Sequence, residues 1–586
     1  MPGKIRIPRS TSSPLTSSNY KKDKKPETWN LKTLISAWLS MVQKKITLII
    51  FCAFILVVLS SCEKKGKGEG KQVTSESKPP AYGDIFVDSS IGDASNLIPI
   101  LSSDSASHDI ASLIYNGLVK YDKNLNMVGD LAESWQVSPN GLVITFKLRK
   151  GVTWHDGKPF TARDCLFTYQ VIVDPKTPTP YSEDFRQIKK VMVIDDYTLQ
   201  VSYGKPFAPA LASWGMTMLP CHLLEGKDIT RSPLSRHPIG TGPYRFKEWI
   251  TGEKIVLEAN PGYFEGRPYL NRYIYRVIPD SATLFLELKS KNIDRMGLTP
   301  IQYMRQTEFQ EIKSNFKKYR YLSFSYTYLA YNLLNPLFKD KRVRQAISYA
   351  IDKQEIIDGV LLGLGRIATG PYKPDTWQYN LNVRTYPYDP KRAKKLLSEA
   401  GWSDKNGDGI IEREGKNFQF TITTNQGNDV RAKCAEIIQR RLKETGIDVK
   451  IRIVEWATFI KEFINKRKFE AVILGWSILQ EPDLYDVWHS SKSKPDELNF
   501  ISYKNLEVDE VLEKGRRTFN QDERKRYYDR FQEILAEEQP YTFLFVPDAL
   551  PIISARFRGI EPAPAGINYN FNQWYVPKDE QKYVVE

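Results

Sequence analysis

Ser138-Pro139-Asn140-Gly141-Leu142-Val143-Ile144-Thr145-Phe146-Lys147-Leu148-Arg149 is followed at once by Trp154-His155-Asp156-Gly157-Lys158-Pro159-Phe160-Thr161-Ala162-Arg163-Asp164, and together they fix the architecture. Pro139 presets φ for a turn, and Asn140-Gly141 tolerate positive φ. Beyond the turn Leu142, Ile144, Phe146 and Leu148 share one face, and Val143, Thr145, Lys147 and Arg149 share the other. That period of two is the mark of a half-buried strand. Residues 154–159 make a second turn. Thr161 and Asp164 then form a capping pair, which opens a helix that Asp174-Pro175 stops near Val173.

These residues also carry a resemblance. Ala132-Glu133-Ser134-Trp135, the strand 141–149 and the run from Trp154 to Ala162 resemble the signature of the extracellular solute-binding proteins, family 5. That family includes the oligopeptide- and dipeptide-binding components of ABC importers. Further matches are Tyr115-Asn116-Gly117-Leu118-Val119, Gly240-Thr241-Gly242-Pro243-Tyr244, Tyr331-Asn332 with 336–352, and Gly475-Trp476. The resemblance implies an α/β, two-lobed, periplasmic-binding-protein-like fold of type II, with mixed β-sheets flanked by helices and a hinge between lobes. The expected layout is a leader over 1–61, a tether over 62–82, a first lobe over 83–325 with an extra subdomain at about 120–237, a second lobe over 326–540, and a return to the first lobe over 541–586.

Composition agrees with a large globular body. Of 586 residues 41% are hydrophobic and 26% charged, and the surplus of 12 Trp, 32 Tyr and 27 Phe is expected to be core or the lining of a binding cleft. The net charge of +15 is unevenly spread: residues 1–61 carry +8 and 62–82 carry +2, leaving +5 for the other 504. A basic patch for nucleic acid is therefore not implied, and no nucleic-acid partner is expected.

Lys44-Lys45 and the fourteen apolar residues 46–59 read as a signal-peptide n-region and h-region. As a helix that run spans roughly 21 Å, short of a hydrocarbon core of about 30 Å. Leu59-Ser60-Ser61-Cys62 resembles a bacterial lipobox, which makes Cys62 the lipidated residue. Residues 1–40 are polar and aperiodic, so translation is expected to start at Met41. The Lys/Gly/Glu-rich run after Cys62 is a flexible tether. The body would then sit outside the cytoplasmic membrane, held by its lipid. Cys52 leaves with the leader; Cys165, Cys221 and Cys434 allow at most one disulfide, and Cys165 reads as a core thiol.

Along the body, a helix is expected over 110–119, strands over 198–202, 255–260 and 273–278, and a helix over 284–290. Val343, Ala346, Ile347, Ala350 and Ile351 recur at helical spacing and open the second lobe. Asp389-Pro390 caps another helix, with Gly401 beyond its end. Strands 418–424, 449–454 and 469–475 alternate with helices 429–445 and 457–466, a βαβ pattern with a largely parallel sheet. A late helix covers 522–537. Strands 541–546 and 552–553 are expected to close the first lobe.

Signatures of enzymes are missing from the sequence: His108, His155, His222, His237 and His489 lack metal-ligand spacing, and no H-E-x-x-H, G-x-S-x-G or P-loop occurs. No catalytic residue, no cofactor and no metal site are expected. Asp404, Asn406 and Asp408 begin like a calcium loop, but Gly415 stands where the bidentate Glu belongs, so a hairpin turn is preferred. The resemblance implies ligand contacts from Tyr115 and Asn116 in the first lobe, Asn332 near the crossover, and Gly475, Trp476 and Ser477 in the second. Peptide-binding members carry an Asp shortly after Gly-Trp for the peptide ammonium; here Ile478-Leu479 follow, so Glu481 or Asp483 would have to replace it. The reading is a monomeric, lipid-anchored extracytoplasmic receptor that captures an oligopeptide and passes it to ABC permease subunits. A sugar or metal chelate in the same fold, a surface adhesin and an enzyme are the alternatives.

Overall fold

The computed structural model describes residues 78–478 and 480–584. The lipobox, Cys62 and the leader lie outside the described residues. The expected tether reaches 82, yet Lys78 already pairs with Glu580 at 2.9 Å and Tyr82 stacks on Tyr269, so the body begins near Lys78.

In the first lobe a four-stranded sheet runs in the order Ile85–Ser90, Arg272–Val277, Lys254–Ala259, Tyr244–Ile250. Its core gathers Phe86, Tyr244, Tyr273 and Trp574. The extra subdomain is a second four-stranded sheet, Ala132–Val137, Val143–Leu148, Thr198–Tyr203, Ile188–Asp195. Ile144 faces Val201 and Phe146 faces Leu199 in register, and all four are buried, as the alternation of 142–148 requires. The helix Ala162–Val173 covers this sheet. Asp164 accepts from the Thr161 N–H at 2.9 Å and from the Cys221 N–H at 3.0 Å, so the capping residue also anchors the next segment.

The second lobe is built on one large sheet: Tyr321–Leu322, Tyr541–Ala549, Ser325–Tyr331, Ala471–Ser477, Gln419–Asn425, Asp448–Val454, with Gly365–Ile367 alongside Tyr541–Ala549. Leu329 and Tyr331 point into one apolar layer and Tyr328 and Ala330 into the other, so helices cover both faces. Val343, Ala346, Ile347 and Ala350 of the helix Lys341–Ala350 are fully buried, with Asp340 capping it.

Four expectations need correction. The sheet is parallel only from Ala471–Ser477 to Asp448–Val454; the remaining pairs are antiparallel. The chain enters this lobe along Ser325–Tyr331 and leaves along Tyr541–Ala549 through the same seam, so those strands run in opposite directions. Consequently Tyr541–Ala549 is a central strand of the second lobe, and Pro551–Ser554 alone rejoins the first, between Arg295–Gly297 and Phe316–Lys318. The helix expected over 110–119 is Ser105–Ile114, because Asp104 caps it by accepting from the Ser107 N–H. It ends before Gly117, whose close packing on the Gly215 carbonyl leaves no room for a Cβ. The helix expected over 457–466 is a short turn, Trp456–Thr458, widening into a π-helix, Phe459–Ile464.

Cys165, Cys221 and Cys434 are buried free thiols. Among the described residues no helix is long and apolar enough to cross a membrane.

Candidate functional site

The two lobes enclose a cavity of about 1380 Å³. Drug-sized ligands fill roughly 300–1,000 Å³, so this space suits something longer. The first-lobe wall includes the helix Ser105–Ile114 and the loop after it; the second-lobe wall includes the end of Ala471–Ser477 and the loop from Gly427 into the helix Asp429–Lys443, just past the end of Gln419–Asn425. Carboxyl ends of parallel strands are where α/β sheets open crevices.

Most of the expected contacts do line this cavity. Gly475, Trp476 and Ser477 end the central strand, and Trp476 leans on Phe500 while its Nε1–H donates to the Tyr541 hydroxyl at 3.3 Å. Ile478 N–H donates to Phe324 O at 2.8 Å, and Trp476 sits opposite Tyr326. Alternation along an antiparallel pair then turns the amides of Gly475 and Ser477 away from that neighbour. The strand on their other side, Gln419–Asn425, pairs only as far as Val472. A length of main chain therefore faces the cavity without a strand partner.

Tyr115 and Asn116 line the opposite wall, but Asn116 is committed within the fold. Its amide donates to both Asp130 oxygens, at 3.1 and 3.0 Å, and its carbonyl accepts from Thr241 at 3.1 Å. Among the described residues the buried Tyr115 hydroxyl has no partner, and burial pushes its pKa well up. Asn332 is elsewhere: its amide donates to Arg467 O and Phe469 O, at 3.2 and 3.0 Å, and it does not line the cavity.

Glu481 and Asp483 reach the cavity wall already paired. Glu481 is bound by Arg524. Asp483 accepts from Arg516 at 2.7 Å, and the same guanidinium reaches Asp184 of the extra subdomain at 2.5 Å. Arg516 lies over the Tyr485 ring at 4.0 Å and the Phe207 ring at 5.0 Å, so its charge bridges the lobes inside an aromatic sleeve. Burial alone would lower its pKa, but Asp483, Asp184 and Asp486 outweigh it and raise it. Burial pushes Asp184 up to about 6 against the pull of Arg516. Ser281 Oγ donates to Asp429 at 2.5 Å and makes a second contact between the lobes.

Arg431 escaped the sequence reading. It lies in the first turn of the helix Asp429–Lys443, with Nη1 donating to Asn425 Oδ1 at 2.7 Å. Among the described residues no carboxylate pairs with it. Burial pushes its pKa down to about 10, with only Tyr328 and Cys434 opposing. A Cβ on Gly475 would come within 3.0 Å of its Nη2, so the glycine makes room for the guanidinium beside the strand. The usable signal was positional: a charged residue just beyond the carboxyl end of a parallel strand.

Neither special loop opens as a site. Asp404 accepts from the Gly407 and Gly409 N–H groups, at 2.7 and 3.0 Å, Asp408 accepts from Ile410 N–H at 2.8 Å, and Asn406 donates to Asp408. Those oxygens hold the turn together, and no cluster of three or more metal-ligating side chains occurs among the described residues. His155 braces a turn, with Nε2–H donating to Gly242 O at 3.0 Å and Nδ1 accepting from the Gly240 N–H at 3.2 Å.

Residues 126–497 match the model of the bacterial extracellular solute-binding proteins, family 5 (middle domain). The chain belongs to that family. Oligopeptide-binding protein AppA of Bacillus subtilis is 36% identical over 551 residues, which are 92% of this chain and all of AppA. The structure of AppA with a nonapeptide superposes with a TM-score of 0.82 at 37% identity, covering 85% of this chain and all of that one. DppA of Helicobacter pylori in complex with the peptide STSA gives 0.77 at 30%, covering 85% and 99%. NikZ of Campylobacter jejuni in complex with Ni(L-His) gives 0.76 at 31%, covering 84% and 99%. The two-lobed fold is thereby shared with binding proteins of ABC importers, a solute-binding and extracytoplasmic class.

Proposed function

We propose that this family-5 protein captures oligopeptides between its lobes and delivers them to an ABC permease, held at the membrane by lipid on Cys62 and working as a monomer. The main-chain edge at Gly475–Ser477, lying open in a 1380 Å³ cavity, carries the reading. An extended peptide binds such an edge by strand addition, whatever its side chains. Arg431 adds an uncompensated cation for a carboxylate of the ligand. Tyr115 and Trp476 offer aromatic walls for side chains, while Glu481 and Asp483, held by arginines, serve closure and not ligand charge. Ligand touching both walls favours the closed form by its differential contacts.

Native mass spectrometry of the exported chain, purified without denaturation, tests this. A carried mixture of peptides is expected. A single carried sugar, or a stripped sample that binds a metal chelate and no peptide, would overturn the reading.

A further inference from the structure

We propose that the Asp109 carboxylate, on the first lobe, is the binding group for a cation of the ligand, a primary ammonium or a guanidinium. The inference rests on the reading above only in taking the interlobe cavity as the ligand site.

Asp109 lies on the helix Ser105–Ile114, whose Ser105, Asp109, Ser112 and Leu113 all line the cavity. Its side chain opens onto that space, and among the described residues no hydrogen bond or ion pair reaches its carboxylate. Neighbouring carboxylates differ. Asp104 accepts from Ser107 N–H and the Ser95 and Ser107 hydroxyls. Asp88 accepts from the Tyr273 hydroxyl at 2.9 Å and from Arg295 at 3.3 Å. Arg295 is the one cation acting on Asp109, and its guanidinium is engaged with Asp88. Two carboxylates, Asp88 and Asp109, thus share one guanidinium, and Asp109 is the one that faces the cavity. The walls around it, with Asp88 and Asp104 adding and Arg295 opposing, push Asp109 up to about 6, while the side chain stays exposed to the cavity and takes no donor from the fold. A ligand N–H⁺ set against it supplies that donor. On the second lobe Glu481 and Asp483, which follow Gly475-Trp476, are arginine-bound, so neither is free for an ammonium.

The test compares the full chain and Asp109→Asn by calorimetry against three nonapeptide libraries. One lacks Lys, Arg and His and has a free amino terminus; the second is the same set N-acetylated; the third is N-acetylated with one Lys. If the terminal ammonium is bound, Asp109→Asn weakens the first library roughly 10- to 100-fold and leaves the second unchanged. If a basic side chain is bound, only the third is weakened, by a similar factor. Equal affinity of the two proteins for all three libraries overturns the proposal. If the unmodified chain binds no library, the peptide reading fails and the ligand carried through purification decides. A carried molecule with a basic nitrogen that Asp109→Asn no longer retains supports the Asp109 site. One without a basic nitrogen, or one that both proteins retain equally, rejects it.

Discussion

Arg431→Met should make the ligand-free protein more stable and a worse receptor. The guanidinium sits in the second-lobe wall with no carboxylate partner, and the fall of its pKa from 12.5 to about 10 means the folded chain tolerates the cation less well than the unfolded one does. That fall corresponds to a burial cost of about 3 kcal/mol at neutral pH. Met fills a similar volume without charge but forfeits the bond to Asn425, and a hydrogen bond from a charged donor is worth about 1.5–3 kcal/mol. A net gain of roughly 1 kcal/mol remains, about 1–2 °C in Tm for a body this large. A ligand carboxylate that loses this partner should lose about 2–3 kcal/mol, or roughly 30- to 150-fold in affinity. Scanning calorimetry of stripped protein and titration with a nonapeptide library measure the two quantities separately. A lower Tm with unchanged affinity would make Arg431 a structural residue held by Asn425 and refute the argument.

Arg516→Met leaves Asp483, Asp184 and Asp486 buried with too little positive charge, and urea unfolding should register a loss of about 3–5 kcal/mol; a loss below 1 kcal/mol means the bridge is not a buried one. Gly240→Ala should give an unstable or insoluble chain, since its Cβ would fall 1.9 Å from Ile114 O, whereas Gly204→Ala, with open space around it, should behave as the parent in the same melts. Burial pushes His155 down to about 4, so its contribution is complete above pH 6.5 and lost as pH falls toward 4, when Nδ1 must take a proton and release the Gly240 N–H. His155→Asn should therefore flatten the decline in stability between pH 6.5 and 4, and parallel declines in both proteins would exclude this account.

Local chemistry made much of the fold legible. The 142–148 alternation, the Thr161/Asp164 pair and the apolar face of 343–350 each obey one short-range rule, and tertiary packing did not override it. Strand direction was beyond reach at Tyr541–Ala549, because its apolar run fits either lobe and only pairing across more than 200 residues assigns it to Ser325–Tyr331. The site was read in halves. Gly475-Trp476 stood out through a resemblance, but Asn332 shared that resemblance and proved to be a turn residue. The pairing of Glu481 with Arg524 and of Asp483 with Arg516 joins residues more than thirty positions apart, which no local pattern connects.

The passage between lobes has a mechanical consequence. Residues 319–323 and 547–551 lie side by side, joined by Ser323 N–H to Pro547 O at 3.0 Å, Tyr319 N–H to Pro551 O at 2.9 Å and Arg320 to Asp548 at 2.6 Å. Two laced ribbons bend readily across their plane and resist shear within it, so the halves should swing like a door leaf on one axis. A guest would then always enter from the rim away from those ribbons, with its long direction set before any side chain is inspected.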